Sequence, residues 1–424
     1  MRALFLLPGH PALQAGGTEM LGRGLFRALR DRHGVDGLLL AAAEPGARPP
    51  LPGVLLQPVG GAAPDDEMLV TLGGGDRFHL AQPDAVGLVA TLGPVMARLR
   101  PEVIHLHHML HWGVETIDLL RRLAPRAALV VTLHDYFAIC PAEGRLLDAE
   151  GRPCAGPGPD ACRRCLPGRG AADLALRRLH LGGALARADA LVAPSEFLRD
   201  RLVEAGLDAA RIAVIRNGVP AGPAAPHRAA PDGRRDRFAL FGQLTAAKGV
   251  EVALGASALL SAEGVAHGLA LHGPLARHSA GFMASFEAGL AAAPAARHHG
   301  AYAPEELPAL IAAADWVMVP SVWFENAPLV ILEAFRHRRP VICTGIGGMA
   351  EMVAPGQGGL HAPRGDAAGW AALMAHAIRE KGLWQTLVDR IPNCRDLSVV
   401  ADEHMTLYRA LLAARAPRRR ALVA

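Results

Sequence analysis

The chain has 424 residues, 51% of them hydrophobic, and a formal net charge of +4. That length and apolar content suffice for a large core split between two domains, and the charge is too small for a dedicated nucleic-acid binder. No run of about eighteen uncharged apolar residues occurs, and the opening MRALFLLPGHPAL is broken too early by proline for a signal peptide or a membrane span, so the sequence reads as cytoplasmic.

Short apolar runs alternate with helix-patterned segments from the start. RALFLL, GLLLAA, VIHLHH, ALVVTLH, ALVAPS and IAVIRNG have strand length, and MLGRGLFRALRDR is the first helix. Such alternation predicts βαβ units with a parallel sheet. Residues 219–236 are rich in Pro, Gly and Arg and read as a linker between a domain at 1–218 and a second at 237–395. In the second the rhythm restarts with RFALFG, GLALHG, ARHHGA, DWVMVPS and PVICTG, with helices at PEELPALIAAA and PLVILEAFRHR. A last helix in 396–424 is expected to pack back on the first domain. Its basic end, ARAPRRRALVA, reads as a solvated tail or, at most, a peripheral contact with the inner face of a membrane. The fold class predicted is α/β, with two doubly wound, Rossmann-like domains facing across a cleft, and ligands beyond the carboxyl ends of the strands.

The stretch PSVWFENAPLVILEAF places Glu325 and Glu333 eight apart in a mostly apolar run. DWVMVPS ends a strand and Pro328 suits the first turn of a helix, so Glu325 falls on the loop and Glu333 on the helix. On one continuous helix the two would stand about 12 Å apart along the axis, too far to share a metal. They would touch different parts of one elongated ligand, with a phosphate at the first-turn N–H groups around Ala327 and Leu329. An exposed helix glutamate and a first-turn dipole partner form the plainer alternative. Lys248 and Lys381 are the only lysines, so Lys248, in FGQLTAAKG, stands out as a fixed cation.

The whole run PSVWFENAPLVILEAFRHRRPVICTGIGGMAEMV resembles the donor site of the family 4 retaining glycosyltransferases with the GT-B fold, whose signature is two glutamates separated by seven residues. FGQLTAAKG, PSEFLRDRL, IAVIRNGV, PEVIHLHH, VVTLHD and LFLLPGHPALQAGGTE resemble further segments of that family, in family order over nearly the whole chain. The resemblance implies transfer of a sugar from a nucleotide-diphosphate donor, UDP- or GDP-linked, to the hydroxyl of a glycan or lipid-linked acceptor. Cell-surface polysaccharide or glycoconjugate synthesis is the implied setting, with no metal or other cofactor needed for catalysis. Glu333 would bind the ribose hydroxyls, Glu325 the donor sugar, and Lys248 the leaving diphosphate. His134, in VVTLHD, would reach the sugar from the opposite domain. Gly16, Gly17, Gly242, Gln243, Gly273, Tyr302, Asn326, Ala327 and Leu329 would complete the donor site. Gln243 stands where many members carry a basic residue, and NAPLVIL with Pro328 replaces the usual glycine-rich segment. A catalytically silent GT-B protein that binds a sugar nucleotide or assists a partner transferase is the other reading. A phosphorylase would need pyridoxal phosphate on a lysine, for which Lys381 is the spare candidate.

Two clusters remain. Cys140, Cys154, Cys162 and Cys165 fall within an insertion at 140–165, and the two-residue gap of CRRC suits thiolates on a structural zinc. Free or disulfide-bonded thiols and an iron–sulfur cluster are the alternatives. His105, His107, His108 and His111 with Trp112 crowd one strand end. Strand alternation separates neighbours, which favours an acceptor-lining role for His107, His108, His111 and Trp112 over a shared metal. Cys343 and Cys394 read as packing residues. PDDE, at residues 64–67, reads as a polar loop.

Overall fold

The computed structural model describes residues 1–14, 16–43, 55–60, 64–230, 232–275 and 279–415. The chain divides into two compact units, one of Met1–Gly218 with Asp396–Ala424 and one of Val219–Arg395. The basic run at 416–424 lies outside the described residues.

Among the described residues the first unit carries eight strands: β1 Arg2–Leu7, β2 Asp36–Ala43, β3 Leu56–Pro58, β4 Glu67–Thr71, β5 Val103–His107, β6 Ala128–Thr132, β7 Ala190–Ala193 and β8 Ile212–Val214. They lie in the order β3-β4-β2-β1-β5-β6-β7-β8. Every pairing is parallel except β3 with β4. A parallel sheet is covered on both faces, which is why β5 and β6 are buried at every residue. The helix Gly17–His33 ends where Gly34 turns into the left-handed region at φ 61°, a conformation that costs glycine nothing. The helix Leu397–Arg415 returns to this unit: Val400, Ala401, Met405 and Tyr408 join the cluster built by Ala3, Phe5, Leu25, Phe26 and Leu29.

Two features of this unit's sheet differ from expectation. β3 and β4 are strands that the sequence pattern does not announce. Glu67, expected in a polar loop, opens β4 and is fully buried. It survives there because His10, Arg23 and Arg27 all donate to it, and these bonds outweigh burial and hold its carboxyl at about 2. Ala12 N–H donates to His10 Nδ1, so the His10 proton is on Nε2, facing Glu67.

The second unit has, among the described residues, six strands, all parallel: β9 Arg237–Phe241, β10 Gly268–His272, β11 Ala296–Gly300, β12 Trp316–Val319, β13 Val341–Thr344 and β14 Gly359–Ala362, in the order β11-β10-β9-β12-β13-β14. β14 is also silent in the sequence. Trp316, Trp370 and Phe238 anchor the core on one side of the sheet, and Ile331, Phe335 and Ile311 on the other. The segment expected as a linker is tied into this unit. Arg228 meets buried Asp315 at 2.7 Å, Ala225 N–H donates to His337 Nδ1, and the fully buried Arg339 donates to the carbonyls of Ala314, His337 and Pro226. Such charge-assisted bonds are what make a buried guanidinium tolerable.

Candidate functional site

In an open parallel sheet, neighbouring strands whose following connections leave toward opposite sides open a crevice at their carboxyl ends. In the second unit that pair is β9 and β12. The loop after β9 begins at Gly242, φ 109°, and ends at Gly249, φ 70°. A Cβ on Gly249 would stand 1.9 Å from the Pro320 carbonyl oxygen, so only glycine lets this loop lie against the end of β12. The approach brings Lys248 Nζ to 2.6 Å from Glu325 Oε1. The same oxygen accepts from Ser321 Oγ at 2.8 Å and Trp323 Nε1 at 2.9 Å. Burial pushes the Glu325 carboxyl up, but the Lys248 charge and these donors reverse the shift and hold it below its ordinary value. Oε1 is thus saturated, whereas Oε2 carries no hydrogen bond among the described residues. Ser321 and Trp323 are partners that the sequence reading missed; their signal was their place four and two residues before Glu325.

Pro328 caps the helix Leu329–Arg336 from outside instead of occupying its first turn as expected. Glu333, on that helix, differs from Glu325 in every respect that counts. Its carboxylate has no hydrogen bond or ion pair among the described residues, and burial alone pushes it up to about 7. Tyr302 stands beside it, and burial first, then the Glu333 charge, push its phenol upward. Phe241 and His272 stack at 5.0 Å with Tyr302 edge-on to both. Gly273, at the end of β10, has φ 152°, and a Cβ there would lie 1.7 Å from the Gly242 carbonyl oxygen. Asn326 is buried, and its carbonyl oxygen leaves no room for a Cβ on Gly348, which would fall 1.5 Å away. Gly348 N–H in turn donates to the Glu325 carbonyl at 2.9 Å. The loop through Ala327 to Leu329 is therefore pinned by glycines of GIGG. Gln243 is exposed.

In the first unit the corresponding pair is β1 and β5. Gly16 caps the helix that Gly17 begins, and a Cβ on Gly16 would strike Glu19 Oε2 at 2.2 Å. Burial raises the Glu19 carboxyl, with His108 pulling the other way. His108, buried at φ 77°, pairs with Asp135 at 2.8 Å. Burial disfavours its charge, yet Asp135 outweighs burial and raises it. His134 lies 3.0 Å from His107 through Nε2 and Nδ1. Burial first, then the charge of His108, hold His134 at about 3, so it is neutral. His111 is at φ 67° and accepts from Gln82 Nε2 through its carbonyl. Trp112 corrects an expectation: it is fully buried, with its indole N–H on the Leu7 carbonyl at 2.6 Å, and so belongs to the core and not to an acceptor surface. His105 is likewise interior, bonded to Tyr408 and Thr132.

Cys140, Cys154, Cys162 and Cys165 line one cavity of about 160 Å³. The antiparallel bridge of Leu147 with Pro153 and the short helix Pro159–Cys165 bring them there. Among the described residues, no group of three or more His, Cys, Asp or Glu is gathered to hold a metal ion. Cys343 is fully buried, and burial pushes its thiol up to about 12, whereas Cys394 is half-buried with Sγ 3.4 Å from the Leu332 carbonyl. Lys381 is exposed. Among the described residues, no helix is long and apolar enough to cross a membrane.

Comparison with known proteins gives two family matches. Residues 15–222 match the description Glycosyltransferase Family 4, and residues 235–380 match Glycosyl transferases group 1. No curated protein matches the sequence. Among solved structures, the chain resembles sucrose-phosphate synthase from Thermosynechococcus elongatus with a TM-score of 0.72 at 19% identity, covering 98% of this chain and 100% of that one. It resembles Anabaena HepE in complex with UDP and glucose with a TM-score of 0.65 at 17% identity, covering 97% and 100%. It also resembles the catalytic domain of Arabidopsis thaliana starch synthase IV bound to ADP and acarbose, TM-score 0.64 at 15% identity, covering 97% and 99%. These likenesses concern the fold: two α/β parallel-sheet domains of the GT-B kind.

Proposed function

Because this chain belongs to the family 4-type glycosyltransferases, we propose that it moves a sugar, with retention of configuration, from a nucleotide-diphosphate donor to an acceptor hydroxyl. The observation that carries the reading is the pair of unlike glutamates after β12. Glu333 is a half-buried carboxylate with no hydrogen bond or ion pair among the described residues, and two vicinal hydroxyls of a ribose are the donors that would complete it. Glu325, neutralised by Lys248, keeps Oε2 for a ligand.

In the proposed reaction the bond between the anomeric carbon and the diphosphate oxygen breaks and its electron pair leaves with the phosphate. The acceptor oxygen bonds to that carbon on the same face, and its proton passes to the departing phosphate. Lys248 offsets the charge developing on the leaving group, a task a fixed ammonium performs without a metal ion. HepE, whose structure holds UDP and glucose, supports a sugar-nucleotide donor for this architecture.

The test is a panel of UDP, GDP, ADP and TDP sugars with chelator present, followed by thermal shift and donor hydrolysis. A donor at a hundredfold over its dissociation constant should stabilise by about 2.7 kcal/mol. Stabilisation by one nucleotide class, with slow hydrolysis that Glu325→Ala abolishes, is expected. No stabilisation by any donor would refute the donor-site reading, and stabilisation with no turnover on any acceptor would favour a silent binder.

A further inference from the structure

We infer that a cavity within the first unit binds an anionic amphiphile, with a carboxylate or phosphate head at Arg177 and an aliphatic chain that leaves past Leu179. The cavity, of about 240 Å³, lies among the helix Ala171–Leu185, the turn that follows the helix Glu196–Glu204, and the short helix Pro159–Cys165. Ile139, Leu174, Leu185 and Leu207 give it apolar walls. Among the described residues its charged lining is Arg177 and Arg178, with no acidic side chain. Drug-sized ligands fill about 300–1,000 Å³, so this space takes a head group and the start of a chain. All of it belongs to the first unit, and no lining residue is part of the donor site, so the inference does not rest on the function proposed above.

Arg177 points to the ligand's charge. It is 3% exposed, with Nε donating to the Phe78 carbonyl and Nη2 to the Phe137 carbonyl. Among the described residues Nη1 donates to no protein atom, and the guanidinium forms no ion pair. Asp76, an acid whose charge it feels, is taken by His79 at 2.6 Å. Burial lowers the guanidinium to about 10, with Cys140, Cys162 and Asp76 pulling the other way, so it stays charged at neutral pH. Arg339, also buried, makes the contrast: all three of its nitrogens donate to carbonyls. A buried cation with a nitrogen to spare, on the wall of a cavity without acids, is completed by an anion. Arg178 adds a second cation, exposed and without an ion pair among the described residues; a Cβ on Gly206 would lie 3.2 Å from its Nη2, so it reaches across to the turn after Glu204. The mouth is apolar. Leu179 lines the cavity and is yet 72% exposed, and Leu176, one turn earlier on the same helix face, is 61% exposed. An aliphatic chain leaving the cavity would cover both.

The test is titration calorimetry of the full-length protein with decyl phosphate and decanoate below their micelle concentrations, and with decanol as the uncharged control. One anionic amphiphile is expected to bind per chain, about ten- to hundredfold tighter than decanol, the worth of hydrogen bonds between charged groups. Two variants locate it. Arg177→Gln removes the charge, and Gly182→Leu blocks the space: Gly182 lines the cavity on a helix, its Cβ would meet nothing within 4 Å, and leucine favours the helix, so this variant should fold. Both should lose the binding at least tenfold. Equal affinity for the anions and decanol, no binding of either anion, or undiminished binding in Gly182→Leu would overturn the inference; if Arg177→Gln does not fold, Gly182→Leu decides. Co-sedimentation with phosphatidylglycerol vesicles separates the sources of such a head group. Co-sedimentation that Gly182→Leu abolishes would identify a bilayer lipid, and binding of decyl phosphate or decanoate without it a free amphiphile, each in support of the site.

Discussion

Replacing Glu333 with glutamine should stabilise the protein and cripple it at once. Burial raises this carboxyl from 4.5 to about 7. For an acid whose folded value lies above its unfolded one, the stabilising contribution is complete below pH 4.5, declines as pH rises, and is lost through about pH 7. The gap corresponds to about 3 kcal/mol at about 1.4 kcal/mol per pH unit, and about 2 kcal/mol is the working figure because water reaches part of the side chain. Glutamine has no charge to desolvate, so the transition of the second unit, Val219–Arg395, should lie about 4–8 °C higher in Glu333→Gln than in the unaltered protein at pH 8, with little difference at pH 4.5. Nucleotide binding should move the other way. Loss of charge-assisted bonds from a ribose diol is worth about 1.5–3 kcal/mol, a ten- to hundredfold weaker affinity. Scanning calorimetry at the two pH values and titration calorimetry with UDP, GDP and ADP would measure both. Equal melting at pH 8, or unchanged affinity for the nucleotide that binds, would refute the reasoning.

Lys248→Met removes the ammonium paired with Glu325 and should cost about 2 kcal/mol in urea unfolding, discounted because Lys248 is a third exposed, along with turnover; retained activity would exclude Lys248 from the reaction. Gly273→Ala should cost about 3 kcal/mol, since its Cβ meets a backbone oxygen, whereas Gly281→Ala, in an open helical position, should be neutral or stabilise by up to about 1 kcal/mol; equal midpoints for the two variants would contradict this. Burial first, then neighbouring thiols, push Cys162 and Cys165 upward, so both should alkylate more slowly near neutral pH than free cysteine, read by mass spectrometry. A rate matching free cysteine would mean these thiols are more open than described.

The legible parts of the fold were those with local causes. Runs such as ALVVT and WVMV read as buried parallel strands because they are short and alternate with helix-patterned segments, and the break near residue 218 is visible in composition. β4 was lost because it begins with Glu67, whose partners His10, Arg23 and Arg27 lie forty or more residues away; a buried charge looks like a loop until its counter-charges are known. β14, GLHA, is too short and polar to show a period. In the site, the loop and helix positions of Glu325 and Glu333 followed from DWVMVPS and Pro328. That Lys248 binds Glu325 could not be read locally, because it depends on β9 and β12 being sheet neighbours. The vacancy at Glu333 was equally hidden, since a missing partner is a property of the whole surrounding structure. Trp112 misled because an indole beside histidines looks alike in a core and at a surface.

The helix Leu397–Arg415 belongs to the first unit although it follows the second in the chain. During synthesis, therefore, Phe5, Phe26 and His105 emerge from the ribosome long before Met405 and Tyr408 arrive to cover them. The second unit, contiguous from Val219 to Arg395, can finish in the interval. A nascent first unit must wait with an apolar groove open, which makes it the natural client of a chaperone, and a stop codon before Leu397 would leave that groove open permanently.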